Sequence, residues 1–98
     1  MTRDEALAKL RPMEAELRAR GIEALYLFGS VARGDAGPDS DVDLMCEIED
    51  RTRMGLIAFS GIANQIEDAI KVPVDLVMRR AIRPRVRVYA EADMVRVF

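Results

Sequence analysis

The fold is decided by residues 29–44, GSVARGDAGPDSDVDL, which follow directly after an apolar run. That run, Ile22–Phe28 (IEALYLF), lies between two glycines and indicates a buried strand. Residues 34–40 have the glycine, proline and aspartate content of a turn, and Val42–Ile48 (VDLMCEI) alternates as a second strand. Because the turn is short, we expect the two strands to pair in antiparallel orientation.

The rest of the chain alternates between helices and strands. Thr2 and Glu5 predict a capping box at the start of an N-terminal helix, which Pro12 kinks or divides and which Gly21 ends. The further elements expected are a polar loop at 49–53, a helix over 54–70 with Ile57 and Ala58 in its apolar stripe, a strand over 72–78, a helix over 84–92 and an edge strand or docked tail at 95–98. This order predicts an α/β sandwich in which the second and third strands run parallel, since a helix crosses between them.

Three aspartates are expected to meet at one edge of this sheet. Asp41 and Asp43 are two positions apart on a strand, so their side chains share a face, with their α-carbons about 6.5 Å apart. Asp75 lies inside the otherwise apolar third strand, where a buried and unpaired acid costs several kcal/mol. The chain directions bring these acids beside Gly29 and Ser30, at the end of the first strand.

Each of these features also has a purely structural interpretation. The aspartates of the turn are compatible with solvated loop charge, and Asp75 is compatible with an ion pair to an arginine such as Arg33. Gly29 and Ser30 are compatible with tight packing in an ordinary strand-turn-strand. If the acids act together, a cluster of carboxylates favours Mg²⁺, and two such ions about 4 Å apart suit phosphoryl-type displacement.

Composition narrows the class of protein further. A length of 98 residues fits one domain, and the absence of histidine excludes Ser-His and Cys-His nucleophiles and histidine-bound zinc. The net charge of -2 argues against direct nucleic-acid binding through bulk electrostatics. Cys46 is the only cysteine, so no intrachain disulfide can form, and no apolar stretch reaches membrane-spanning length. We therefore expect a cytoplasmic protein that does not associate with membranes.

The spacing of the glycines and acids resembles the signature of nucleotidyltransferases. The pattern GSxxRG, from Gly29 to Gly34, followed by SDxDL at 40–44, is similar to the motif of the superfamily that includes DNA polymerase beta. The aspartate of VDLV, Asp75, is similar to the third metal-site carboxylate of that superfamily. In length and motif order the chain resembles the minimal nucleotidyltransferases, or MNT proteins. The resemblance implies a polymerase beta-like fold, with a small mixed sheet of three to four strands flanked by helices, in a single domain at residues 1–98.

The resemblance also implies a role for each motif residue. The acids of SDxDL would hold two Mg²⁺ ions, and the third acid would complete one metal site and help to activate an acceptor hydroxyl. The glycine-serine pair would bind the β- and γ-phosphates of a nucleoside triphosphate, with ATP as the expected substrate. The implied catalytic and metal-binding residues are Asp41, Asp43 and Asp75. The implied nucleotide-binding residues are Gly29, Ser30, Arg33 and Gly34.

The family resemblance also implies a partner. MNT proteins are typically paired with a helical HEPN protein, a ribonuclease toxin, which they neutralise, in some systems by adding AMP to a tyrosine. The resemblance thus implies a type VII-like antitoxin that transfers AMP from ATP to a HEPN toxin. Two alternatives stay open: a binding-only antitoxin on the same fold, and a nucleotidyltransferase that acts on a small molecule or a nucleic acid. A homo-oligomer also stays open.

A run of arginines near the C-terminus has several interpretations. Arginines stand at positions 79, 80, 83, 85 and 87 with no acid between them. The run is compatible with a solvated helix face, with neutralisation of a triphosphate and with docking to an acidic partner surface. The sequence alone does not separate these three.

Overall fold

The computed structural model of the chain describes residues 1–50 and 53–98. The described residues form a four-stranded sheet in the order β3-β2-β1-β4. Its strands are β1 (Ile22–Phe28), β2 (Val42–Ile48), β3 (Val74–Met78) and β4 (Val95–Arg96). β1 pairs antiparallel with β2 and with β4, whereas β2 pairs parallel with β3. The mixed sheet and the parallel crossover are therefore confirmed.

Five α-helices in the described part of the chain flank this sheet. They are α1 (Arg3–Leu10), α2 (Glu14–Ala19), α3 (Gly29–Arg33), α4 (Leu56–Ile70) and α5 (Pro84–Asp93). Single 3₁₀ turns lie between α1 and α2 and between β3 and α5. None of these helices combines the length and the apolar character that a membrane crossing needs.

The predicted start, interruption and end of the N-terminal helical region are confirmed. The Glu5 backbone N–H donates to Thr2 Oγ1 at 3.1 Å, which caps α1. Pro12 lies in the 3₁₀ turn that separates α1 from α2, where its missing N–H removes no α-helical bond. Gly21 follows α2 with φ +101°, a conformation that favours glycine. This glycine turns the chain directly into β1.

The core lies on both faces of the sheet. One face packs under α1, α2 and α4 through β-strand residues such as Leu27, Leu44 and Cys46. The opposite face is smaller and joins Tyr26 and Met45 to Ala90 of α5. Residues of β2 alternate between the two clusters, as its sequence predicted. The C-terminal tail is docked as well, since Val97 and Phe98 are buried and bond to the backbone of Leu25.

Several sequence-based boundaries need correction. The short helix α3 was not predicted, and β3 begins at Val74 rather than at position 72. Ile57 and Ala58 were placed in the apolar stripe of α4, yet both are exposed, and the helix buries Ile62, Ile66 and Ile70 instead. The predicted polar loop at 49–53 includes positions 51 and 52, which lie outside the described residues.

Candidate active site

Strand register brings two of the predicted acids side by side. Asp43 of β2 is the direct partner of Asp75 of β3, and on its other side it pairs with Phe28 of β1. Gly29 and Ser30 follow Phe28 immediately, as the first residues of α3. The ends of three neighbouring strands therefore meet where the sequence placed them.

The three acids differ in their exposure to solvent. Asp43 is half-buried, whereas Asp41, which precedes β2, and Asp75 are both exposed. Asp75 does not carry the cost of a buried acid, since it lies on the edge strand β3 and its side chain reaches solvent. Asp43 is thus a half-buried acid with two exposed acids nearby, one on the paired strand and one two positions earlier in the chain.

The electrostatics of this edge are unfavourable in the protein alone. Burial raises the pKa of Asp43 above its ordinary value of 3.8, and the charges of Asp75 and Asp41 raise it further. The Arg33 guanidinium acts in the opposite direction and is the smallest of these influences. Within the described residues, none of the three acids takes part in an ion pair or a side-chain hydrogen bond. Like charges collected without an ion-pair partner point to a cationic ligand.

Gly29 is required by two features of its surroundings. Its φ of +74° lies in the left-handed region, which is costly for other residues. A Cβ built on Gly29 would collide with Asp43 Oδ2 and lie 3.1 Å from Asp43 Cγ. The absent side chain therefore makes room for the Asp43 carboxylate. Ser30, the next residue, is half-buried.

Gly34 ends α3 and returns the chain toward β2. Its φ is +83°, and its N–H donates to the carbonyls of Ser30 at 3.0 Å and Val31 at 3.2 Å. A Cβ at Gly34 would meet no atom within 4 Å, so the requirement here is conformational. Gly34 therefore ends α3 at the start of the turn predicted over residues 34–40.

Arg33 acts as a brace in this structure. Its Nε donates to Asp35 Oδ2 at 3.2 Å, and its Nη1 donates to Asp93 Oδ2 at 3.3 Å. These two carboxylates raise the pKa of the Arg33 guanidinium. The second contact ties α3 to the end of α5. The alternative pairing of Arg33 with Asp75 does not occur among the contacts of the described residues.

Glu67 was not singled out from the sequence, yet it helps to position the acids. Its Oε1 accepts the N–H of Val74 at 2.9 Å, at the residue just before Asp75. The chain between α4 and β3 turns through Lys71, whose φ of +64° is unusual for a residue with a side chain. Glu67 thus fixes where β3 begins, and with it the position of Asp75 along the edge of the sheet.

The three carboxylates are ligands of the type that Mg²⁺ prefers, but their side chains do not yet converge on one point. Carboxylate oxygens are the ligands that Mg²⁺ prefers, and it usually binds one or two of them and completes its shell with water and phosphate. Among the described residues, no three acidic, cysteine or histidine side chains already converge on one point. Asp41 and Asp75 are both exposed, and Asp43 is half-buried. The roles of these acids as metal ligands stay predictions.

The three acids lie outside two cavities that are lined by described residues. A cavity of about 500 Å³ lies at the opposite end of β2 and β3, lined by Cys46, Glu47 and Met78 among others. A second, of about 210 Å³, lies between the start of α1 and Gly34. Neither is lined by the three predicted acids. An open edge of this kind is accessible to a large acceptor.

The raised pKa of Asp43 predicts a pH dependence of folding. Because the folded state holds this proton more tightly than the unfolded state, the carboxyl stabilises the fold least once pH exceeds both pKa values. In metal-free buffer with EDTA, the free energy of unfolding of the wild type should therefore fall relative to Asp43→Asn as pH rises from below 3.8 toward neutrality. Chemical denaturation of both proteins across that range measures the difference. A difference that stays constant with pH contradicts the raised pKa.

This combination of fold and site defines a nucleotidyltransferase. The chain belongs to the nucleotidyltransferase-domain family, whose model matches residues 10–97. It is 33% identical over 84 residues to the protein adenylyltransferase MntA of Thermococcus cleftensis, covering 85% of this chain and 83% of the relative. The family and the enzyme class expected from the motif are confirmed.

Solved structures confirm the fold. A structure described as a candidate minimal nucleotidyltransferase superposes with a TM-score of 0.81 at 28% identity, covering 97% of this chain and 95% of that one. The MNT antitoxin complex of Shewanella oneidensis with a tri-AMPylated HEPN toxin matches with a TM-score of 0.70 at 19% identity. That match covers 95% of this chain and 71% of the other. The polymerase beta-like fold with a mixed, helix-flanked sheet is thereby established.

Proposed function

We propose that this protein transfers AMP from ATP to a hydroxyl, with tyrosine as the acceptor, on a HEPN-type toxin and thereby acts as its antitoxin. The observation that carries the proposal is the direct pairing of Asp43 with Asp75 beside Gly29, in a member of the nucleotidyltransferase family. The name of the Thermococcus relative supports adenylyl transfer to a protein. The Shewanella complex supports a HEPN partner.

In this proposal Mg²⁺ is held by Asp41, Asp43 and Asp75. The unpaired and mutually repelling carboxylates support this, because a divalent cation removes the repulsion that raises the pKa of Asp43. When bound, Mg²⁺ neutralises triphosphate charge and polarises the phosphoryl oxygens. The chain's own contribution is to keep the half-buried Asp43 fixed against Gly29.

The nucleotide is held at the start of α3 in the same scheme. The Ser30 hydroxyl and the free backbone N–H groups that open α3 donate to the β- and γ-phosphates of ATP. Gly34 ends α3 in the left-handed conformation. Arg33 adds positive potential beside the phosphates while its two carboxylate partners hold it in place.

The reaction then exchanges a phosphoanhydride bond of ATP for a phosphoester bond to the acceptor. The acceptor oxygen bonds to the α-phosphorus, the bond from that phosphorus to the bridging oxygen breaks, and pyrophosphate leaves with the electron pair. Asp75 takes the proton of the acceptor hydroxyl, and its exposure at the sheet edge supports this role. The open edge also favours an acceptor on a protein surface over a small molecule that needs a closed pocket. Dependence on ATP fits the cytoplasmic location that the sequence suggested.

One experiment tests this function against its alternatives. The protein is incubated with ATP labelled at the α-phosphate, Mg²⁺ and the product of the neighbouring gene as the candidate HEPN partner, and the reaction is repeated with Asp43→Asn and with EDTA. We expect label on the partner only with the wild type and Mg²⁺. Neutralisation of toxin activity that survives Asp43→Asn without label supports a binding-only antitoxin. Label on an RNA end or a small acceptor, and not on the partner, overturns the proposed acceptor.

A further inference from the structure

The acids of the candidate active site lie on the sheet face that α5 covers. Side chains alternate along a strand, so Asp43 shares a face with Met45, which belongs to the same buried cluster as Ala90 of α5. Asp75 shares that face with Val77, which packs against the same cluster. The helix therefore lies on the side of the sheet from which the acids project.

α5 crosses this face from one edge of the sheet to the other. It begins after the 3₁₀ turn that follows the edge strand β3, and it ends just before β4, the strand at the opposite edge. Its 10 residues span about 15 Å, roughly three strand spacings of about 4.8 Å. A helix that lies across the strands in this way has one flank toward each end of them.

Two hydrogen-bonded pairs identify the flank that faces the acids. Glu91 accepts bonds from Arg79, which follows the C-terminal end of β3, so its flank faces the end of the sheet away from the acids. Asp93 accepts a bond at 3.3 Å from Arg33 of α3, the helix that begins beside the acids. At 100° per residue, Glu91 and Asp93 are about 200° apart on α5 and so belong to different flanks. The flank of Asp93 therefore faces the active-site edge.

Tyr89 lies on this flank, one turn before Asp93. The helical period places Tyr89 about 40° and Val86 about 20° from Asp93, whereas Val88 is about 140° away on the outward side. Tyr89 and Val86 are 77% and 56% exposed. An uncovered aromatic ring therefore stands on the side of α5 that faces the active-site edge.

We propose that the base of the bound nucleotide stacks on Tyr89, with Val86 beside it. The inference rests on the proposed function, in which the phosphates bind at the start of α3. The flank borders that position, and the base is the flat, apolar part of the same ligand. Phe28 adds apolar surface at the residue directly before α3. The pair of Arg33 with Asp93 ties α3 to α5, so the phosphate and base positions are held relative to each other.

The test separates the base from the phosphates by titration calorimetry with Mg–ATP and with Mg–tripolyphosphate, which lacks a base. The variants are Tyr89→Ala and Tyr89→Phe, with Val88→Ala as the matched control, since Val88 is 68% exposed on the outward side. We expect Tyr89→Ala to weaken binding of Mg–ATP about tenfold or more and to leave Mg–tripolyphosphate unchanged, because stacking on an aromatic ring is lost. Tyr89→Phe keeps the ring, so it and Val88→Ala should stay within about twofold of the wild type for both ligands.

A fluorescence measurement places the base directly. The chain has no tryptophan, so Tyr89→Trp and Val88→Trp each introduce a single reporter. We expect Mg–ATP to quench the emission of Tyr89→Trp through stacking, and Mg–tripolyphosphate to leave it unchanged. The emission of Val88→Trp should respond to neither ligand.

Other outcomes overturn the inference. Unchanged affinity of Tyr89→Ala for Mg–ATP moves the base away from α5. If that variant keeps its affinity for Mg–ATP but loses transfer to the protein acceptor, Tyr89 contacts the acceptor instead of the base. A wild type that binds Mg–tripolyphosphate as tightly as Mg–ATP refutes the stacking and leaves the proposed function standing. A wild type that binds neither ligand refutes both.

Discussion

Replacing Asp43 with asparagine is expected to lower the rate of AMP transfer by about 10³-fold or more while the protein stays folded. Asparagine keeps the shape of the side chain, so the packing against Gly29 is preserved. It removes the one half-buried carboxylate of the three acids, which is the one in direct register with Asp75. A loss of about 4 kcal/mol of transition-state stabilisation corresponds to that factor.

The same substitution should raise stability in metal-free buffer. Burial and two neighbouring charges raise the pKa of Asp43, so its carboxylate is disfavoured in the fold at neutral pH. A neutral side chain removes that penalty, and a gain in stability together with a loss of activity is typical of a residue kept for function. Thermal unfolding with EDTA measures the first effect, and transfer of labelled AMP measures the second.

Asp39→Asn is the matched control for this prediction. Asp39 is exposed and lies in the turn that precedes β2. No strand pairing places it beside the other acids. It should change neither the transfer rate nor the unfolding temperature appreciably. Equal transfer by Asp43→Asn and the wild type would remove Asp43 from the mechanism. Destabilisation of Asp43→Asn would show instead that the carboxylate supports the fold.

The strands were predictable from the sequence, whereas α3 was not. Ile22–Phe28 is an apolar run between glycines, so both its type and its limits follow from local chemistry. Gly29–Arg33 spans five residues and starts with a glycine, which is too short for a 3.6-residue period to show. The sequence left the exposure of Asp75 open, because the apolar neighbours of Asp75 do not show that β3 is the edge strand of the sheet.

Within the site, pairing along the sheet could be predicted and contacts from distant segments could not. A crossover from β2 to β3 makes these strands parallel, and the position of each acid in its strand then brings Asp43 and Asp75 together. The bond of Arg33 to Asp93 joins residues 60 positions apart. Nothing local to either residue signals that bond. The same holds for Arg79, whose pairs with Glu47 and Glu91 use one arginine of the C-terminal run for internal structure.

Gly29→Ala is expected to damage both the fold and the activity. The φ of +74° costs an alanine about 1–2 kcal/mol, and overpacking against another side chain adds about 1–3 kcal/mol. The new Cβ can be accommodated only if the Asp43 carboxylate moves away, because that carboxylate fills the space. A displacement of about 1 Å in a catalytic group costs about 10²-fold in rate. Denaturant unfolding and the AMP transfer assay measure the two losses.

Two other glycines separate the causes of this effect. Gly34 has a similar φ of +83° but open space at its Cβ position, so Gly34→Ala should lose only the conformational part of the stability. Gly37 lies outside the left-handed region, with the nearest atom, Ser40 Oγ, 3.9 Å from a built Cβ. Gly37→Ala should therefore leave stability and transfer nearly unchanged. The stability difference between Gly29→Ala and Gly34→Ala then measures the contact with Asp43. If that difference vanishes while transfer by Gly29→Ala stays at the wild-type rate, the glycine does not position the acid, and Asp43 needs another support.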